Sequence, residues 1–137
     1  MPETLERLEA KRTRLYQELA ALGDFRRGTI SVNFRRCGKP NCACAQPGHR
    51  GHGPQYLWNA TIAGESRARN LRLGQEVEKV AREVDTYRTF VRLYAELVAV
   101  NEQLCDRRPA PPGEDASTLE ELKKKLRRRF ARKSPRK

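Results

Sequence analysis

The sequence predicts an α+β protein. Two long stretches with apolar residues every three or four positions, at 3–22 and 75–105, bracket three short stretches in which apolar and polar residues alternate. Between the first two of these lies RRCGKPNCACAQPGHRGHGP, residues 35–54, which holds three of the four cysteines and both histidines of the 137-residue chain. The expected order is an N-terminal helix, a small three-stranded antiparallel sheet carrying that loop, a long helix, a linker and a short basic C-terminal helix.

In 3–22, Leu5, Leu8, Leu15, Leu19 and Leu22 form one seam with Arg12 at its remaining position, and Gly23 ends the helix. In GTISVNF (28–34), Ile30, Val32 and Phe34 alternate with Thr29, Ser31 and Asn33, the pattern of a half-buried strand. QYLWNATIA (55–63) alternates again, with Tyr56, Trp58, Ala60 and Ile62 on one side. A glycine-containing turn at 64–66 leads into RARNLRL (67–73), a third strand that carries Arg67, Arg69 and Arg72.

The second helix, 75–105, would extend on the order of 45 Å at about 1.5 Å per residue. Val80, Val84, Tyr87, Val91, Tyr94 and Val98 continue one seam, and Phe90, Leu93, Leu97, Val100 and Leu104 form an adjacent stripe. So wide an apolar band predicts burial of one stripe on the sheet or the first helix. The other stripe goes to a partner or to a second copy in a homodimer, unless the first helix covers the whole band.

RRPAPPGEDAS (107–117) breaks the pattern with three prolines and a glycine and reads as a linker. Ser117 stands three residues before Glu120, a capping-box spacing that opens a helix with Leu119, Leu122, Leu126 and Phe130 on one side. The expected organisation is a core over 1–105, a linker over 106–117, and a basic amphipathic helix with its tail over 118–137. The closing ARKSPRK is expected to be flexible unless bound.

Hydrophobic residues make up 37% and charged residues 34% of the chain, so the core must be modest. No run of about 18 apolar residues exists to span a bilayer. The charged opening MPETLERLEAKR lacks the apolar stretch of a secretory signal, so the expected location is the cytoplasm, without a membrane partner. The net charge of +12 is uneven: residues 1–23 sum to zero, 24–74 to +7, 75–105 to −2 and 106–137 to +7. A localised basic surface suits a polyanion, because Lys and Arg neutralise phosphates and release their counterions.

Cys37, Cys42 and Cys44 form a C-x4-C-x-C pattern, with four residues between Cys44 and His49 and seven between Cys44 and His52. A reducing cytoplasm keeps thiols free, which favours metal ligation over disulfides. Thiolate and imidazole are the ligands of tetrahedral zinc, and four of them would fix a segment with almost no apolar side chain to pack. Gly38 and Pro40 suit a tight turn that aims backbone N–H groups at sulfur. The expected cofactor is a structural zinc ion, with either histidine as the fourth ligand. The alternatives are unligated reduced cysteines or a redox or iron–sulfur role. Three cysteines and a histidine leave a zinc ion no open position, and no acidic residue lies between Cys37 and Gly64 to act as a base, so no enzymatic activity is expected. Glu76, Glu83 and Asp85 read as a solvated helix face rather than a nuclease cluster. Cys105 reads as a small apolar residue late in a helix.

The run GTISVNFRRCGKPNCACA, then HGPQYL, a basic strand and a long helix holding VDTYRTF, resembles a widespread family of small prokaryotic proteins of unknown function, often encoded beside transposases. The family typically shows RKCGKPNCRCA followed by HGPYYYL, and the resemblance covers roughly residues 26–104. It implies Cys37, Cys42, Cys44 and His52 as the zinc ligands and gives His49 no counterpart. Ala43 stands where the family often has arginine, and Gln55 where it often has tyrosine. The tail lies outside the resemblance.

The function expected from these features is a non-enzymatic nucleic-acid-binding accessory protein of a transposase or related nuclease. Arg35, Arg36, Lys39 and Arg50 on the loop, with Arg67, Arg69 and Arg72 on the neighbouring strand, are the expected phosphate contacts. Lys123, Lys124, Lys125, Arg127, Arg128 and Arg129 add a second contact through the linker. DNA is favoured over structured RNA by the mobile-element resemblance alone. The alternative is a protein-interaction subunit that docks on a larger nuclease or transposase through Val91, Leu93, Leu97 and Val100, with the zinc loop as scaffold.

Overall fold

The computed structural model describes residues 3–113 and 116–131. Its elements are α1 (Leu5–Ala21), β1 (Thr29–Arg35), β2 (His52–Ile62), β3 (Glu65–Leu71), α2 (Gln75–Arg107) and α3 (Ala116–Arg129), with one 3-10 turn at Ala43–Ala45. No described helix is long and apolar enough to cross a membrane.

Thr4 caps α1 by accepting the Arg7 N–H at 3.2 Å, which satisfies one donor that the first turn leaves unpaired. The leucine seam then packs as its spacing requires: Leu8 and Leu15, with Leu19 and Leu22 beside them, meet Leu93, Leu97, Val100 and Leu104 of α2. Arg12, the polar member of the seam, donates to Asn101 Oδ1 at 3.3 Å. Leu5 falls outside the contact and is exposed. The two helices run antiparallel, since Arg107 and Arg108 at the end of α2 reach Glu3 and Glu9 at the start of α1.

The sheet is antiparallel in the order β1-β2-β3, with Ile30 opposite Trp58 and Tyr56 opposite Leu71. These residues share one face, which packs on Val77, Val80 and Val84 of α2. Val32 and Phe34 alternate correctly onto that face but are exposed, because the helix covers it only as far as Ile30. The turn between β2 and β3 is tighter than expected: Ala63 and Gly64 are both left-handed (φ 53° and 81°), as a two-residue type I′ hairpin requires, so pairing continues from Ile62 to Glu65. Where the chain enters β1, Gly28 has φ 125°, and a Cβ there would meet the Asn59 carbonyl and the Trp58 indole nitrogen at 2.5 Å. Any larger residue would push the strand off its neighbour.

α2 therefore serves two partners along its length, the sheet on its first turns and α1 on its last. α1 does not cover the whole apolar band: Val91 is 44%, Tyr94 57% and Val98 38% exposed. Between the two clusters, Phe25 stacks on Phe90 at 4.9 Å and leans on Tyr87 at 5.9 Å.

Glu83 is the one buried charged residue among those described. Its Oε2 accepts from Lys79 at 2.6 Å, and its Oε1 lies 2.8 Å from Arg26 Nε, an ion contact too bent to be a hydrogen bond. The Glu83 carbonyl also accepts the Arg26 N–H at 3.2 Å, and the Arg26 guanidinium sits 5.2 Å from the Trp58 ring centre. One carboxylate thus ties the α1–β1 connection to α2 across the face of Trp58.

α3 begins at Ala116, so Ser117 lies inside its first turn and not at the cap position that the spacing of Glu120 implied. Leu119, Leu126 and Phe130 form an exposed apolar edge on α3. Of the closing ARKSPRK, residues 132–137 lie outside the described residues.

Leu15→Ala is expected to cost about 3 kcal/mol, as for other fully buried leucines, and Val32→Ala well under about 1 kcal/mol, read from urea midpoints. The Lys79 hydrogen bond, helped by Arg26 and opposed by burial, holds the Glu83 carboxyl below its ordinary value of 4.5. A depressed native pKa stabilises fully above the unfolded value and is lost as pH falls below it. The melting temperature should fall below pH 4.5, and Glu83→Gln should flatten that fall while costing about 2 kcal/mol at neutral pH.

Candidate metal centre

The β1–β2 ladder ends with Arg35 opposite His52, past a register shift at Asn33 and Arg35. β2 thus starts three residues earlier than the alternation alone indicated, and His52 sits on the strand itself. The sheet holds the two ends of the loop together, so Cys37 leaves β1 close to where His52 joins β2. Gly51 permits this closure: at φ 102° it lies against the Arg35 backbone, where a Cβ would come within 2.9 Å.

Inside the loop the chain folds back by short backbone bonds. Cys42 N–H donates to the Lys39 carbonyl at 3.2 Å, and the 3-10 turn follows with Ala45 N–H donating to the Cys42 carbonyl at 3.0 Å. Gly38 is left-handed at φ 80°, and the Cys37 N–H points at Cys44 Sγ over 3.4 Å. The expected aiming of backbone N–H groups at sulfur is therefore present.

The ligand atoms of Cys37, Cys42, Cys44 and His52 all lie within 4.8 Å of one another. Cys37 Sγ is 3.5 Å from Cys44 Sγ, and Cys42 Sγ is 3.1 Å from His52 Nε2. A tetrahedral ion with metal–sulfur bonds near 2.3 Å and metal–nitrogen bonds near 2.0 Å needs edges of about 3.8 and 3.6 Å, so these two short pairs would open by a few tenths of an ångström while the widest separation, up to 4.8 Å, closes by about 1 Å. Cys44 is buried beneath the other three. The Lys39 N–H, with the His52 ring and the Cys44 thiol, lowers the Cys37 thiol to about 6. The Cys37 N–H favours the Cys44 thiolate, but burial and the neighbouring sulfurs outweigh it and raise that thiol. The crowding thus drives the pKa values of the Cys37 and Cys44 thiols apart, and a cation placed among these sulfurs would favour the thiolate form.

His49 is engaged elsewhere. Its Nδ1 accepts the Gly51 N–H at 2.9 Å, its N–H donates to the Gln46 carbonyl, and its own carbonyl accepts from Arg36 at 2.9 Å. It braces the loop beside the cluster, and His52 is the histidine positioned with the three cysteines to hold an ion. Spacing did not separate the two histidines, because the distinction depends on how far the strand ladder runs.

The basic residues divide into three groups. Arg35 and Lys39 are exposed at the metal end of the sheet. Arg36 holds the His49 carbonyl, and Arg50 lies 5.0 Å from the Phe34 ring centre, so both brace the loop as well as charging it. On β3, Arg67 stands opposite Ala60 and Arg69 approaches Glu76 at 4.0 Å; Arg72, expected on that strand, lies just past its end and approaches Glu76 at 3.1 Å. Arg72, chiefly by its hydrogen bond, keeps the Glu76 carboxyl below its ordinary range. On α3, Lys123, Lys124, Lys125, Arg127, Arg128 and Arg129 are exposed; Lys123 pairs with Glu120, and Arg129 sits over Phe130. Cys105 lies late in α2, as read from the sequence, and is a free, exposed thiol.

Cys44→Ser should reduce bound metal from about one equivalent per chain toward zero and loosen the loop to proteolysis, whereas His49→Ala should keep the metal. Elemental analysis of protein purified without added metal checks both.

No curated protein and no solved structure matches the chain. A family model described as a domain of unknown function, DUF6788, matches residues 5–82, which take in α1, the whole sheet with its metal loop, and the first turns of α2. The match spans more than half of the sequence, and the chain belongs to the DUF6788 family.

Proposed function

We propose that the metal is structural zinc and that the protein is a non-enzymatic nucleic-acid-binding accessory protein of a transposase or related nuclease. The observation that carries this reading is the charge around the metal loop. No acidic residue stands between Asp24 and Glu65, and Arg35, Arg36, Lys39 and Arg50 fall at the loop end of β1, while Arg26 and Arg27 lie at its other end, Arg26 already paired with Glu83. A zinc ion with three thiolates and one imidazole carries a net charge of about −1, which offsets only one of those cations. The remainder forms a basic end on the sheet, held in place by the metal and suited to a run of phosphates. A closed shell of four protein ligands gives the ion a folding role and no position for substrate. α3 adds a second basic surface at the end of a proline-rich linker, so engagement of one surface raises the effective concentration of the other. The mobile-element resemblance favours DNA over structured RNA.

The exposed side of α2 favours a second reading, a subunit that docks on a larger nuclease or transposase. Leu93 and Val100 cannot serve that docking, since α1 buries them; the available residues are Val91, Tyr94 and Val98.

Salt dependence separates the two. If phosphate contacts carry binding, the affinity for a duplex should fall steeply with salt, and Arg35→Ala with Lys39→Ala should reduce the slope of log K against log salt by about 2. Both residues are exposed and outside the cluster, so the metal content of the double variant should stay unchanged. A slope near zero in fluorescence anisotropy would reject the phosphate reading and leave the docking subunit.

A further inference from the structure

We propose that the exposed side of α2 is the seam of an antiparallel homodimer. On α2, Val84, Val91, Val98 and Cys105 recur every seven residues, and Val80, Tyr87, Tyr94 and Asn101 recur every seven between them. That is the alternation of four and three that a two-helix seam uses. The sheet covers the first part of the seam at Val80 and Val84, and α1 packs on a different side through Leu93, Leu97, Val100 and Leu104. From Val91 to Val98 the seam continues exposed along the helix, and at Asn101 only Arg12 of α1 reaches it.

A second copy laid antiparallel meets this stretch with complementary chemistry. With Tyr94 against Val98 of the second copy, Val91 falls against Asn101 and Tyr87 against Cys105, each layer occurring twice about the two-fold axis. Ala95 then flanks the seam at the axis and faces Ala95 of the second copy, where a small side chain allows close approach. The same register brings Arg88 beside Glu102 of the second copy, again twice. Within its own chain Arg88 has only the exposed pair with Asp85 at 3.3 Å, and Glu102 pairs with no described residue. A parallel pair would instead separate Arg88 from Glu102 by about 21 Å along the helix. The charges therefore select the antiparallel arrangement. On α1, Tyr16 shares a face with Arg12, which reaches Asn101, so its exposed ring widens the patch on the same side.

Sedimentation equilibrium of the full chain, washed in high salt to remove nucleic acid, tests the pairing. The expected mass is twice 15.8 kDa. Val91→Glu with Val98→Glu should give a monomer of unchanged helicity, since neither residue belongs to a buried cluster. Arg88→Glu or Glu102→Arg alone should weaken the dimer by about fivefold, and the two together should restore it. A monomer at about 100 μM, with the seam covered by α3 or left bare, overturns the proposal. A dimer that the double charge swap fails to restore, or one that a Cys105–Cys105 disulfide locks, also overturns it, because only parallel helices bring those two thiols together.

Discussion

Everything in this fold depends on α2 being packed from two sides. A three-stranded sheet is stabilised by covering its apolar face, here against a helix. Val80 and Val84 supply the surface that Ile30, Tyr56, Trp58 and Leu71 need. From that backed part of the sheet the β1–β2 ladder runs on, past the helix, to Arg35 and His52, and because it runs that far the loop ends meet. The metal ligands are thus assembled by a chain of packing that starts on a helix distant from them in sequence. Glu83 reinforces the same junction, drawing Arg26 and Lys79 onto α2 beside Trp58.

Periodicity located the elements because it reports which side of a segment is apolar. It did not report how far a partner extends. Val32 and Phe34 alternate as faithfully as Ile30, yet only Ile30 lies under α2. Leu5 belongs to the α1 seam but falls beyond its buried part. The cysteines stood out through the chemistry of thiols in a loop with little else to fold it. The fourth ligand did not, because His49 and His52 differ only in relation to a ladder that spacing does not encode. The HGP resemblance pointed to His52, and the geometry accounts for it: His52 is held by the strand, while His49 is consumed by hydrogen bonds to its own loop.

Charge was legible as a total and less so as a surface. Arg69 and Arg72 appeared beside the loop as free cations, but both are drawn toward Glu76 at the start of α2. A carboxylate in the first turn of a helix is favoured there by the helix dipole, and it holds the arginines in turn. Arg35 and Lys39 at the metal end of the sheet stay exposed and unpaired among the described residues, as do Arg67 on β3 and several cations of α3. In Arg36 and Arg50 the structural and electrostatic roles coincide, since the contacts that brace the loop also fix where its charge is displayed.

The antiparallel pairing has a geometric consequence for that charge. The sheet sits on α2 near Val80, and the proposed two-fold axis passes near Ala95, so each sheet lies about 23 Å along the helix from the axis. The two basic metal loops would then face away from each other at opposite ends of the dimer, about 45 Å or more apart. A rigid pair of helices sets that spacing, and the linkers let each α3 reach around it. Such an assembly would contact a polyanion at two separated places, in the way that dimeric DNA-binding proteins match two half-sites to the distance between their reading elements. A monomer would have one loop and one tethered helix, with no fixed distance to impose. The sheet and α1 together already account for the length of α2, so the pairing would give that same length a second use, setting the distance between the two loops.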